Sequence, residues 1–153
     1  MKSTGIVRRI DDLGRVVIPK EIRRNLRIRE GDPLEIYIED GGVLFKKYSL
    51  LSLISSMSAD FSIALSTNGI RNGIYDRDTI LYGTKAFGIR DTPDEWLYIR
   101  TPATKCNNLF VTPIISEGET VGFICYKTED DNKTAHEMIK FAAKVLANIV
   151  AEN

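Results

Sequence analysis

Residues 4–31 read TGIVRRIDDLGRVVIPKEIRRNLRIREG, and the reading of this stretch decides the fold. Residues 3–10 are predicted to form a strand that runs into the polar, glycine-bearing turn Asp11-Asp12-Leu13-Gly14. Arg15-Val16-Val17-Ile18 is a short β-branched run and predicts a second strand. Pro19 fits the first position of a helix, where its missing N–H costs nothing. Residues 20–26 then form a short helix, with Ile22 and Leu26 four apart on its inner face. Arg23, Arg24 and Arg27 point elsewhere.

The same stretch carries the charge. Residues 1–29 hold Lys2, Arg8, Arg9, Arg15, Lys20, Arg23, Arg24, Arg27 and Arg29 against Asp11, Asp12 and Glu21, a net +6. The whole chain of 153 residues has a formal net charge of zero, because residues 30–48 (Lys46 and Lys47 against Glu30, Asp32, Glu35, Glu39 and Asp40) and residues 49–153 (10 basic and 13 acidic groups) each carry −3. A basic first segment on a neutral chain points to a polyanion as partner.

Outward from it, Glu30-Gly31-Asp32 is a turn, and residues 33–39 alternate Leu34, Ile36 and Ile38 with Glu35, Tyr37 and Glu39, the pattern of a half-buried strand. Asp40-Gly41-Gly42 is a hairpin turn and residues 43–48 the returning strand. The first fifty residues thus hold four short strands and one helix. Chains below about 40 residues usually need a staple or a partner, and domains only slightly larger are marginal. With no metal or disulfide framework here, dimerisation is the remaining route, and it doubles the basic surface.

Residues 50–67 repeat Leu50, Leu53, Ile54, Met57, Phe61, Ala64 and Leu65 at helical spacing and are expected to form a linker helix. After Asn68-Gly69 the pattern changes to short strands at 73–75, 79–82, 96–99, 109–115 and 121–126, the last two joined by a polar hairpin loop over 116–120. Residues 131–151 close the chain as a helix with Asp131 as N-cap and Ala135, Met138, Ile139, Ala142, Val145, Leu146 and Ile149 on one face. The second half is therefore an α+β domain, a mixed sheet flanked by helices.

Little points to catalysis. His136 reads as a solvent-exposed helix residue with no nucleophile beside it. Cys106 falls in a loop and Cys125 in an apolar strand, so the pair reads as thiols rather than a disulfide, and they lie too far from a ligand set of about four for zinc. Trp96 reads as core, with Tyr98 near it. The pairs Asp76/Asp78 and Asp130/Asp131 read as turn and cap residues. No phosphate loop, Rossmann fingerprint or nucleophile elbow is present. No cofactor, no metal and no enzymatic activity are expected. The longest apolar runs fall short of the roughly 18 residues that cross a bilayer, and the N-terminus lacks a signal-peptide core, so a cytoplasmic protein without membrane contact is expected.

The stretch at 4–31, continued by DPLEIYIEDGGVLFKKYS, resembles the DNA-binding domain of the AbrB family of transition-state regulators over residues 1–49. GRVVIPK carries the superfamily, while TGIVRRIDDLG and RIREGDPLEI point to the sporulation regulators within it. The resemblance implies a swapped-hairpin dimer, in which strands of two subunits interleave into one barrel-like body. It also implies DNA contacts at Arg8, Arg15, Arg23 and Arg24, all present here. Lys2, Arg9, Lys46 and Lys47 are candidate phosphate contacts. Residues 111–124, with Val111-Thr112-Pro113-Ile114-Ile115, Gly118 and Val121-Gly122-Phe123-Ile124, are similar to a GAF-type sensor, although 68–127 is short for such a core. The domain division implied is 1–49 for DNA, 50–67 as linker helix and 68–153 as the GAF-like part.

The expected function is a transcription regulator of sporulation genes, binding double-stranded DNA as an N-terminal homodimer and assembling into a homotetramer through the C-terminal domain. Two alternatives stay open. One is an antitoxin-like interaction module; the other is a regulator gated by a small metabolite.

Overall fold

The computed structural model describes residues 3–83 and 87–152, and the chain divides into two units, Met1–Tyr48 and Ser49–Asn153.

In the first unit, α1 spans Lys20–Asn25, and β1 (Leu34–Glu39) pairs antiparallel with β2 (Gly42–Lys47). The hairpin turns on two residues, Asp40 and Gly41, both with positive φ (48° and 73°). That is the type I′ geometry whose twist matches paired strands, and it explains why glycine stands at 41. Gly42 is the first residue of β2, not part of the turn. Pro19 is the N-cap of α1 with ψ 147°, one position earlier than expected. The helix ends in a Schellman motif: Ile28 N–H donates to Arg23 O at 2.7 Å and Arg27 N–H to Arg24 O at 3.2 Å. Arg27 takes the left-handed position (φ 52°) that glycine usually fills.

The two strands expected at 3–10 and 15–18 do not form. A strand is stabilised by a ladder and a buried face, and within one chain this segment finds neither. Val7, Ile10, Val16 and Val17 are exposed. Leu26, placed on an inner helix face by its spacing, is also exposed, and α1 buries no residue. The row Ile36 and Ile38 is 63% and 87% exposed. The spacing of these residues is that of a core, yet a single copy of the unit provides none.

The second unit has a core on both faces of its sheet. Five strands, β3 (Arg71–Tyr75), β4 (Ile80–Gly83), β5 (Thr104–Cys106), β6 (Leu109–Ser116) and β7 (Glu119–Lys127), lie in the order β4-β3-β7-β6-β5. All pairings are antiparallel, so the sheet is not mixed as expected. The hairpin β3–β4 and the meander β5–β6–β7 join where β3 pairs with β7, so the connection from β4 to β5 crosses from one edge of the sheet to the other. Along β7, Ile124 and Tyr126 face one cluster while Phe123 and Cys125 face the other.

The first cluster joins the sheet to α2 (Leu50–Leu53), α3 (Ser55–Thr67) and α4 (Lys133–Ala151). The expected single helix over 50–67 is broken at Ile54 (φ −107°, ψ 33°). Its buried row is Leu51, Ile54, Ser58, Ser62 and Leu65, while Leu53 and Met57 are exposed. Small serines on the inner row let α3 approach the sheet, and Asn72 of β3 donates to Ser62 O at 3.0 Å and Ser66 Oγ at 3.1 Å. Gly122 serves the same closeness: a side chain there would meet Leu51 Cδ1 at 2.1 Å and Tyr75 O at 2.3 Å. On α4, Asn132 rather than Asp131 is the cap, its side chain accepting from Ala135 N–H at 3.0 Å.

The second cluster is roofed by the segment between β4 and β5. The strand expected at 96–99 is instead a 3-10 turn, Asp94–Tyr98, started by Pro93, whose carbonyl accepts from Trp96 N–H. This turn drives Trp96 edge-on between Tyr75 (centroids 5.2 Å apart) and Phe123 (5.9 Å). The short strand β5, absent from the sequence reading, follows and makes Cys106 a strand residue rather than a loop one.

Candidate nucleic-acid interface

Arg8, Arg15, Arg23 and Arg24 are all exposed in the first unit. They stand on three pieces of chain: Arg8 in the segment before the loop, Arg15 on the loop, and Arg23 and Arg24 in the last turn of α1. Among the described residues, Arg15 is the one of the four that is held by a carboxylate. Asp11 Oδ2 accepts from Arg15 Nε at 2.7 Å, and Asp11 Oδ1 accepts from the N–H groups of Arg15 (2.8 Å) and Leu13 (3.0 Å). Asp11 N–H in turn donates to Arg15 O at 3.0 Å, and Gly14 N–H to Asp11 O at 3.1 Å. The sequence placed a turn here but assigned Asp11 no further role. Its carboxyl is held below the usual range, first by the Arg15 N–H and then by the guanidinium.

The candidate phosphate contacts divide. Arg9 is exposed. Lys46 is also exposed and lies 5.0 Å from the centre of the Tyr37 ring. Lys47 is structural: its Nζ is 3.0 Å from Asp32 Oδ2 and donates to Arg27 O at 2.8 Å. The Asp32 side chain is 3% exposed and also accepts from Arg29 N–H at 2.8 Å, so it ties the end of α1 to the hairpin. Lys2 lies outside the described residues.

In the second unit His136 is half-buried, not exposed as expected. Tyr126 Oη lies 2.8 Å from its Nδ1, and Phe110 packs edge-on at 4.7 Å. The Asp130 carbonyl, 3.3 Å from Nε2, can only accept, so Nε2 is the donor in that contact. Both cysteines are free; burial pushes the Cys125 thiol up to about 12 and raises Cys106 as well, which disfavours the thiolate that redox chemistry needs. Asp76 accepts from Asp78 and Thr79 N–H and so builds a turn. Among the described residues no cluster of metal-binding side chains occurs, and no helix is long and apolar enough to cross a membrane. A shallow groove of about 570 Å³ runs between α3 and β4, lined by Ala59, Ser62, Ile63, Ser66, Thr67, Tyr82 and Gly83.

Several known proteins are similar to this chain in sequence. Residues 7–49 match the family model described as antidote-toxin recognition MazE, bacterial antitoxin. The transition state regulatory protein AbrB of Bacillus subtilis (strain 168) is 65% identical over 31% of this chain and 50% of its own length. Solved structures of the N-domain of AbrB share 64% identity over 31% of this chain and about 92% of theirs, with TM-scores of 0.30 and below. Stage V sporulation protein T of the same organism is 38% identical over 96% of this chain and 97% of its own. An AbrB-type arginine-bearing unit followed by an α+β unit defines a two-domain transcription regulator. The chain belongs to the family of stage V sporulation protein T. That alignment runs over 173 positions, more than the 153 residues here, so the relative carries segments this chain lacks.

Proposed function

We propose that the chain binds double-stranded DNA in the cytoplasm as a two-fold dimer of its first unit, regulates sporulation genes, and assembles further through a GAF-like second unit. The observation that carries the reading is the first unit's exposed apolar row. Val7, Val17, Ile36, Ile38 and Val43 are large apolar side chains left exposed, with no core to cover them among the described residues of one copy. Burying one such side chain contributes roughly 1.5–3 kcal/mol. A few of them per subunit therefore match the ~5 kcal/mol that separates a folded small domain from an unfolded one. A second copy, with its hairpin interleaved, supplies both the ladder that residues 3–18 lack and the cover for Ile36 and Ile38.

The dimer presents Arg8, Arg15, Arg23 and Arg24 twice each. Clustered cations bind DNA by releasing its counterions, and the guanidinium fork fits guanine in the major groove. In the second unit, exposed Leu53, Met57 and Phe141 offer apolar area for pairing into a tetramer. Measuring DNA affinity of Arg8→Ala and Arg23→Ala across salt tests the reading. Each loses about 1–3 kcal/mol or flattens the salt slope; unchanged affinity with a flat wild-type slope would sink it.

The match of residues 7–49 to an antitoxin family model favours a second reading, a module that binds a protein toxin. Here those residues are followed by a folded unit, not a tail free to wrap a partner. A small protein co-purifying in equal amount, with no DNA affinity, would favour that second reading.

A further inference from the structure

The four arginines differ in how they are held before any DNA arrives. Arg8, Arg23 and Arg24 form no ion pair among the described residues, whereas Arg15 is bonded through Nε to Asp11 while its side chain stays 70% exposed. The same carboxylate accepts from two backbone N–H groups of the loop. One residue therefore fixes the loop and the direction in which its arginine leaves it.

We propose that Asp11 is a positioning residue for DNA recognition: it grips Arg15 at Nε, so that the terminal nitrogens of the guanidinium are directed outward to a base edge or phosphate. The inference rests on the DNA-binding reading above. Two physical effects follow, of opposite sign. Ordering a rotamer-rich side chain in advance removes a cost worth a factor of roughly 2 to 10 in affinity wherever that geometry is used. The carboxylate also offsets one cation per subunit, which weakens the geometry-independent attraction to phosphates. Asp11 thus raises selectivity and lowers bulk attraction. Its carboxyl is ionised at neutral pH, and the hydrogen bonds to Arg15 and Leu13 only lower its pKa further.

The test uses the full chain and two probes: a duplex that the wild type selects from a random pool, and the random pool itself. Asp11→Asn keeps an Oδ1 acceptor for the loop N–H groups and removes the charge. It is expected to weaken binding to the selected duplex by about 2- to 10-fold while strengthening binding to the pool and steepening its salt dependence. In an Arg15→Ala background the same change is expected to weaken binding to the selected duplex no further. Equal weakening on both probes, or a loss that persists without Arg15, would show a merely structural role and overturn the proposal. So would a selection that enriches no duplex, since Arg15 would then have no register to be held in. Wild-type binding with Arg23→Ala impaired and Asp11→Asn unchanged would overturn only the positioning role. Absence of wild-type binding to either probe would overturn the DNA reading itself.

Discussion

The apolar strands of the two units differ in pattern and in burial: β7 of the second unit is a continuous apolar run, whereas β1 of the first alternates apolar with polar residues. On β7, Phe123, Ile124, Cys125 and Tyr126 are all fully buried, shared between two faces. On β1, Ile36 and Ile38 point along one face and are mostly exposed. The second unit covers its sheet with its own helices and its own 3-10 turn. The first is too short to do so. Alternation therefore marks one face of a strand for cover, without saying whether its own chain supplies it.

The largest expected break in this comparison comes from Ile38→Glu. An uncompensated charge at a face that a second copy covers costs roughly 3–5 kcal/mol, and a two-fold dimer carries it twice. Light scattering is expected to show loss of the first unit's self-association, with DNA binding lost alongside and the second unit's melting unchanged. A dimer of unchanged strength would mean that Ile38 faces solvent in the assembly as well. Phe123→Ala probes the other side of the comparison. It is expected to destabilise the second unit by roughly 3–5 kcal/mol in urea unfolding. The effect should be the same at every protein concentration if that core is completed within one chain.

The smallest effect belongs to Asp11. Its folded-state pKa is depressed below the ordinary 3.8, so its contribution to the loop is present above that value and is lost as pH falls through the lowered one. Loop geometry and Arg15 orientation are expected to be flat through neutral and mildly acid pH. An NMR titration of the Asp11 carboxyl with a midpoint at or above 3.8 would contradict the bonding described.

Much of the second unit was legible in advance because its elements are long or end in clear turns. The closing helix and the β6–β7 hairpin fall close to where periodicity puts them. What was missed depends on tertiary packing. The break at Ile54 and the shift of the buried row to Ser58 and Ser62 follow from how closely α3 approaches the sheet, and serine spacing alone does not reveal that. Trp96-Leu97-Tyr98-Ile99 has strand composition, but Pro93 and the space between Tyr75 and Phe123 favour a tight turn. In the candidate site, the arginines were visible as charge, while their supports were not. Asp11 looks like an ordinary turn residue and Lys47 like an ordinary strand-end lysine until their partners, Arg15 and Asp32, are brought to them by folding.

Trp96 is the chain's sole tryptophan, and it is 2% exposed within the second unit's core. Its emission therefore follows one unit alone. Melting of the first unit, its pairing or its capture of a polyanion leaves that signal silent unless the event travels to the second core. The chain thus carries a built-in optical test of coupling: a spectral response of Trp96 to an event at Arg23 would be direct evidence that the two units communicate.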